Sequence, residues 1–465
     1  MLSLSHVISI IATLFLVTCV GIYSLKKVKD SKDFTVGRKK VNAPVVAGMV
    51  IGTLVGGAAT IGTAQLAYEF GFSAWWFTLK CGIGCVLLGL FYAKPLNESG
   101  ATTVPSILVN VYGEKAGLMA SIFSSLGIFI HITAQILAIV ALITTLMPID
   151  PLIAAIVGSL LIVCYVVFGG VWGTGYVGMI KMFLLYFSMV TAGFVAYKLG
   201  GGISGFRASF DPFPWFSLFG RGVSIDLAAA FSTVVGVLST QTYLQAIFSG
   251  RDVRAARRGT IVAGLVTPPI GFVCILIGLF MKASFPAIAS KQALPLFIIN
   301  YLPDWLGGIV IATLLISVIA TGAGLVLGVS TMFTHDIYQR IIAPGAKDKN
   351  ILLVSRLSIV AITGLSLLIT LGNMDSFILQ WSFLSMGLRG STILLPLLGA
   401  LFARKWVKSK AGTFAIALAP TVSTIWAILM PNKMDPLYIG LVISFLVLTV
   451  GSLVVFPKKH TKNIG

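Results

Sequence analysis

Residues 52 to 65 read Gly52-Thr53-Leu54-Val55-Gly56-Gly57-Ala58-Ala59-Thr60-Ile61-Gly62-Thr63-Ala64-Gln65, with glycines and hydroxyls gathered in the middle of an apolar run. A helix that only faces lipid has no use for such a centre. Glycine permits close approach or unwinding, and an unwound segment frees backbone carbonyls that can hold a cation or a solute at mid-membrane. Helix packing through small residues accounts for the same pattern, so this stretch alone leaves both readings open. A second apolar stretch repeats the character with Ser232, Thr233, Gly236, Ser239, Thr240 and Gln241.

Both stretches sit in a chain of 465 residues that is 57% hydrophobic and 10% charged, with a mean hydropathy of +1.00. Soluble domains carry about 25% charged residues, so the composition is that of a polytopic, all-α integral membrane protein. Apolar runs of about 20 residues are expected near 5–24, 43–68, 72–93, 117–146, 152–168, 175–198, 226–248, 259–281, 305–334, 351–371, 376–402, 412–430 and 436–456, about 13 spans. Two interrupted helices five spans apart point to inverted repeats of five helices. The organisation expected is a peripheral first helix and basic loop (1–42), a first repeat (43–198), an extracellular connection (199–225), a second repeat (226–402), and two additional helices with a tail (403–465).

The formal charge of +19 needs no nucleic acid to explain it. Most basic residues fall in alternate connections, including Lys26 to Lys40, Arg251 to Arg258 and Arg404 to Lys410. The positive-inside rule then sets the amino terminus outside and the carboxyl terminus in the cytoplasm of a plasma-membrane protein, its bases facing membrane lipid. The first span has its basic cluster behind it, the reverse of a cleaved signal peptide. All five cysteines lie in apolar stretches and read as packing residues. The connections are too short for a soluble domain, and no acid pair, metal cluster or Ser/His pair appears at matched depth, so an intramembrane enzyme is disfavoured.

Further motifs follow in order. Gln241-Thr242-Tyr243-Leu244-Gln245 precedes Arg251-Asp252 and Ala256-Arg257-Arg258. Ser317-Val318-Ile319-Ala320-Thr321 precedes Ser330 and Thr334-His335-Asp336-Ile337-Tyr338. Together with Gly57 to Gly71, these stretches resemble the solute:sodium symporters, which have the leucine-transporter-like fold. The resemblance covers nearly the whole chain and implies a cation-coupled symporter that alternates access about a midplane site.

The resemblance also implies a sodium site between the first and eighth core helices, held here by the carbonyls of Ala58, Ile61 and Ser317 and the hydroxyl of Thr321. Oxygen-only coordination suits this hard cation, and sodium is the one ion, and no other cofactor, that the comparison implies. Two departures matter. Ala320 stands where the family has a second hydroxyl, and in the fifth core helix Gly178 replaces a common Asp, with Lys181 one turn on. A buried ammonium there could take the place of sodium and load and release a proton within the cycle; alternatively, Lys181 snorkels to the interface. Coupling to sodium and coupling to a proton stay open at this point.

The same resemblance makes Thr60, Thr63 and Gln65 substrate-binding candidates from the broken helix, with Thr240 and Tyr243 from its partner, Tyr243 as an inner gate. Hydroxyls bonding to their own backbone explain the threonines equally well. From the residues themselves, His131 and Gln135 are four apart on one helical face, and Arg389 is too far from either end of its span to snorkel. Lys80 lies nearer an end, where snorkelling suffices. No acid lies at mid-membrane among these cations, which favours a small polar solute bearing a carboxylate or other anionic group. A passive channel or uniporter would need a continuous polar lining, and a substrate-sensing receptor would be expected to carry a signalling domain, which is not read after Lys462. Sequence leaves the oligomeric state open.

Overall fold

A computed structural model describes residues 3–26, 30–430 and 434–453. Lys27, Lys29, Lys433, Lys458, Lys459 and Lys462, on which part of the orientation rests, lie outside the described residues. Among those described the chain is helical without strands; the sole β-type pairing is an isolated bridge between Val41 and Gly250. The helices that build the site are α1 (Leu4–Leu25), α2 (Ala43–Leu54), α3 (Thr63–Phe70), α4 (Trp76–Leu87), α5 (Glu114–Leu146), α6 (Pro151–Leu199) and α7 (Val223–Ser239). They continue with α8 (Gln241–Ser249), α9 (Val253–Ser284), α10 (Asp304–Met332), α11 (Asp348–Leu371), α12 (Ile378–Phe402), α13 (Ser409–Leu429) and α14 (Pro436–Leu453).

Eleven helices among the described residues are long and apolar enough to cross a membrane, with two shorter apolar ones at Ala43–Leu54 and Pro151–Val167. The expected thirteen spans are therefore not reproduced one for one. The spans near 152–168 and 175–198 join in a single helix of 49 residues. At about 1.5 Å per residue that is more than twice the ~30 Å hydrocarbon thickness. The Gly169-Gly170 pair weakens a helix by about 1 kcal/mol per residue without ending it here. Short helices at Val104–Tyr112, Gly202–Ser209 and Ala293–Tyr301 lie in stretches read as connections.

Side-chain caps start α2 and α9. Asn42 caps α2 through its Oδ1, which accepts from the Val45 N–H, and Pro44 stands in the first turn. Asp252 caps α9 likewise, and the Ala255 N–H that it accepts holds its carboxyl below the usual range. The core is α2, α6 and α10 packed together, with α5 against α12 and α4 against α9, while α1 lies against α6 and α10. Glycine sets the closest crossing: a Cβ on Gly178 of α6 would stand 2.0 Å from the Gly48 carbonyl of α2.

Candidate functional site

Helix α2 stops because Val55 takes φ −94° and ψ 88°, outside the helical region. The chain resumes as a π-helical turn, Ala58–Gly62, and then α3. A helix that ends in lipid leaves carbonyls to be satisfied by other groups, and here α6 and α10 supply them. The Gly52 carbonyl accepts from the Thr321 hydroxyl at 3.0 Å and from the Lys181 ammonium at 2.8 Å. The Val55 carbonyl accepts from the Ser317 hydroxyl at 2.9 Å. Lys181 also donates to the Ser317 carbonyl at 2.9 Å and to the Thr321 hydroxyl oxygen at 3.0 Å.

Lys181 is 0% exposed and so does not snorkel. Its ammonium has three N–H donors and meets three oxygens, one from α2 and two from α10. Of the residues expected at this place, Lys181, Ser317 and Thr321 are brought together. The Ala58 carbonyl accepts from Thr63 within its own turn, and it is the carbonyls of Gly52 and Val55, six residues before Ala58 and Ile61, that Lys181, Thr321 and Ser317 reach. The reason is where the helix breaks, at Val55 and before the Gly56-Gly57 pair rather than after it.

These oxygens are a donor set suited to a hard cation, yet sodium does not fit beside Lys181. The ammonium engages the Gly52 carbonyl, the Ser317 carbonyl and the Thr321 hydroxyl, and buried Ala320 has no side-chain oxygen to add. Two cations sharing these ligands would repel each other at contact distance.

The second break lies at Thr240, extended at φ −91° and ψ 120° between α7 and α8. Its hydroxyl donates to the Gly236 carbonyl at 2.5 Å. Beyond it Gln241 ties α8 to the stretch before Val104, accepting from the Val104 N–H at 2.8 Å and donating to the Thr102 carbonyl at 3.2 Å. Gln245 donates to the Thr35 carbonyl.

A second buried cation stands opposite the first break. Arg389 of α12 is 0% exposed; its Nε donates to the Ser385 carbonyl at 3.0 Å, Nη2 lies 3.2 Å from His131 Nδ1, and Nη1 has no partner. The Tyr243 hydroxyl lies within hydrogen-bonding reach of the guanidinium and the Cys81 thiol within electrostatic reach. His131 Nε2 and Gln135 Nε2 are likewise buried and unpartnered. Gln135 accepts at Oε1 from the Gly57 N–H, 2.9 Å away, which ties α5 to the first break. No acid among the described residues pairs with Arg389 or Lys181.

The remaining candidates each make a bond or contact within the protein. Thr60 donates to the Gly56 carbonyl at 2.9 Å and Thr63 to Ala58 at 3.1 Å, the local bonding that sequence offered as the alternative. Gln65 Oε1 accepts from the Ile378 N–H at 3.2 Å and so anchors the start of α12. Thr240 caps its own break, as above. Lys80 is half-buried with its ammonium 5.1 Å from the Trp76 ring centroid, an interfacial arrangement of the cation–π type. Cys81, Cys85 and Cys274 are buried free thiols. Two features escaped the sequence reading. Asp336 sits at a helix end yet is buried, accepting from Thr103 at 2.9 Å and Ser121 at 3.1 Å. Cys81 borders Arg389, which no spacing on α4 announces.

The profile described as the Sodium:solute symporter family matches residues 34–418. Among curated relatives, the high-affinity choline transporter 1 of Caenorhabditis elegans is 24% identical over 393 residues, 78% of this chain and 68% of that protein. The human high affinity choline transporter 1 is 24% identical over 76% of this chain and 65% of its own length. This chain thus spans about two thirds of the length of these relatives. The sodium/glucose cotransporter of Vibrio parahaemolyticus is 21% identical over 84% of this chain and 79% of that one. A solved Na+-coupled sialic acid symporter, in a substrate-bound outward-open state, superposes with a TM-score of 0.81 at 18% identity over 98% of each chain. That likeness fixes the leucine-transporter-like fold. The family match covers most of the chain, which therefore belongs to the sodium:solute symporter family, a family of membrane transporters and not of enzymes.

Proposed function

We propose that the protein is a cation-coupled secondary transporter that imports a small carboxylate-bearing solute by alternating access, with a proton on Lys181 as the coupling cation. The observation that carries this reading is the Lys181 ammonium on Gly52, Ser317 and Thr321. Protonated, the side chain has three donors for three acceptors and ties α2 to α10 through α6. Deprotonated, it has two donors and no charge, and the strong charge-assisted component of the bonding is gone. Loss of the proton thus loosens the broken helix from α10, the pair that must part for solute to leave. The repeats at 43–198 and 226–402 are the bodies that would rock about the site.

Arg389 supports the carboxylate. A buried guanidinium without a counter-ion is costly unless a ligand supplies the charge, and its Nη1 is unpartnered. Choline is a cation, and a site with Arg389 and Lys181 but no paired acid is ill-suited to a quaternary ammonium. A channel is disfavoured because the carbonyls of the first break are taken up by α6 and α10 instead of lining a continuous path. The family resemblance favours sodium as the coupling ion, and the experiment separates the two. Proteoliposomes are given an inward proton gradient without sodium, or an inward sodium gradient at equal pH, and accumulation of labelled short-chain monocarboxylates is followed. Accumulation driven by the proton gradient alone is expected; accumulation only with the sodium gradient would overturn proton coupling.

A further inference from the structure

The carboxylate reading leaves one amide unexplained. Gln135 lies one helical turn from His131 on α5, and both side chains are fully buried. The Gly57 N–H can only donate, so the Gln135 oxygen must face it and the amide nitrogen is the free end. That nitrogen has no partner, and neither do Arg389 Nη1 or His131 Nε2, while the Tyr243 hydroxyl lies within hydrogen-bonding reach of the guanidinium. The amide also borders the Lys181 site: a Cβ built on Gly56 would stand 2.5 Å from Gln135 Oε1 and 2.5 Å from Thr321 Oγ1. A rigid planar group therefore has one edge on the helix break and the other on an unfilled donor position, one turn along α5 from the histidine that touches Arg389.

We infer that the solute carries a second acceptor oxygen, a hydroxyl or a carbonyl, that takes the Gln135 N–H while its carboxylate takes Arg389. This inference rests on the carboxylate reading above. Residues four apart on a helix have Cβ atoms about 5–6 Å apart, which puts Gln135 close to the histidine that touches Arg389, so one short solute is taken to carry both groups. The substrate class is a short hydroxy or oxo acid. Because the amide is planar, a solute oxygen that fixes its nitrogen edge also fixes the oxygen that holds Gly57. Occupancy of the solute site is thereby reported to the broken helix that carries the Gly52 and Val55 carbonyls. Gln135 is in this sense both a specificity-determining and a coupling residue.

The test compares butyrate with 2-, 3- and 4-hydroxybutyrate in calorimetric binding to the purified full-length protein and to Gln135→Leu, with Gln135→Met as a second variant should the first not fold. In the wild type at least one hydroxylated acid is expected to bind about tenfold or more tightly than butyrate, since it fills a buried donor that butyrate leaves unpaired. In the Gln135 variants that advantage is expected to disappear while butyrate still binds. Equal affinity across the series in the wild type, or an advantage that survives in the variants, would overturn the inference, and ordered water on the amide would then explain the free nitrogen. The carboxylate reading is checked separately with Arg389→Gln and butyrate. Butyrate binding lost in Arg389→Gln beside a flat hydroxyl series overturns the Gln135 assignment alone. Butyrate affinity unchanged by that substitution, or absence of binding by every acid in the wild type, overturns both.

Discussion

Lys181→Gln is expected to abolish proton-driven accumulation and to reduce initial uptake by about two orders of magnitude in proteoliposomes. The magnitude follows from the bonds removed. A charged donor contributes about 1.5–3 kcal/mol per hydrogen bond, Lys181 makes three, and a glutamine amide is shorter and uncharged, so the loss of two such bonds accounts for the effect. The pH dependence should vanish together with the rate, because the group that changes charge is gone. Lys181→Arg keeps a cation but not one that releases its proton in the cycle, and is expected to bind solute without accumulating it. Retained proton-dependent accumulation in Lys181→Gln would contradict the role assigned to the ammonium.

Arg389→Met is the second large effect, and its signature is a split between stability and affinity. Removal of a buried, incompletely paired guanidinium relieves a charge that the empty protein does not neutralise, so the melting temperature without solute should stay the same or rise. Affinity for a carboxylate solute should fall about a hundredfold, the cost of an anion that has lost its charged partner. A merely structural arginine would behave the other way, with lower stability and affinity close to wild type. Thermal melts of the purified variant with and without butyrate separate the two outcomes.

Much of this arrangement was legible from residue types. The two clusters of glycines and hydroxyls, Gly52 to Thr63 and Ser232 to Thr240, marked both interrupted helices, and both stretches do break, at Val55 and at Thr240. Lys181 and Arg389 stood out as cations at membrane depth, and both are fully buried. What sequence could not give was the frame of the first break. Glycines flank it on both sides, so composition does not say which carbonyls lose their helical partners, and Ala58 and Ile61 were expected where Gly52 and Val55 stand. For the threonines the sequence offered both local bonding and solute contact, and the bonds they make are local: Thr60, Thr63 and Thr240 bond to their own backbone, while Gln65 bonds to the start of α12. Membership of the helix bundle was clear from hydropathy, whereas the continuous helix from Pro151 to Leu199 was hidden by a glycine pair that weakens a helix without ending it.

In the proposed transport cycle an amino-acid side chain, not a metal ion, is the cation that joins α2 to α10. Solute affinity of the purified wild-type protein, measured by calorimetry at one pH with sodium and with an equal concentration of potassium, tests it most directly. The account predicts the same affinity in both salts. An affinity about tenfold or more higher in sodium would contradict it.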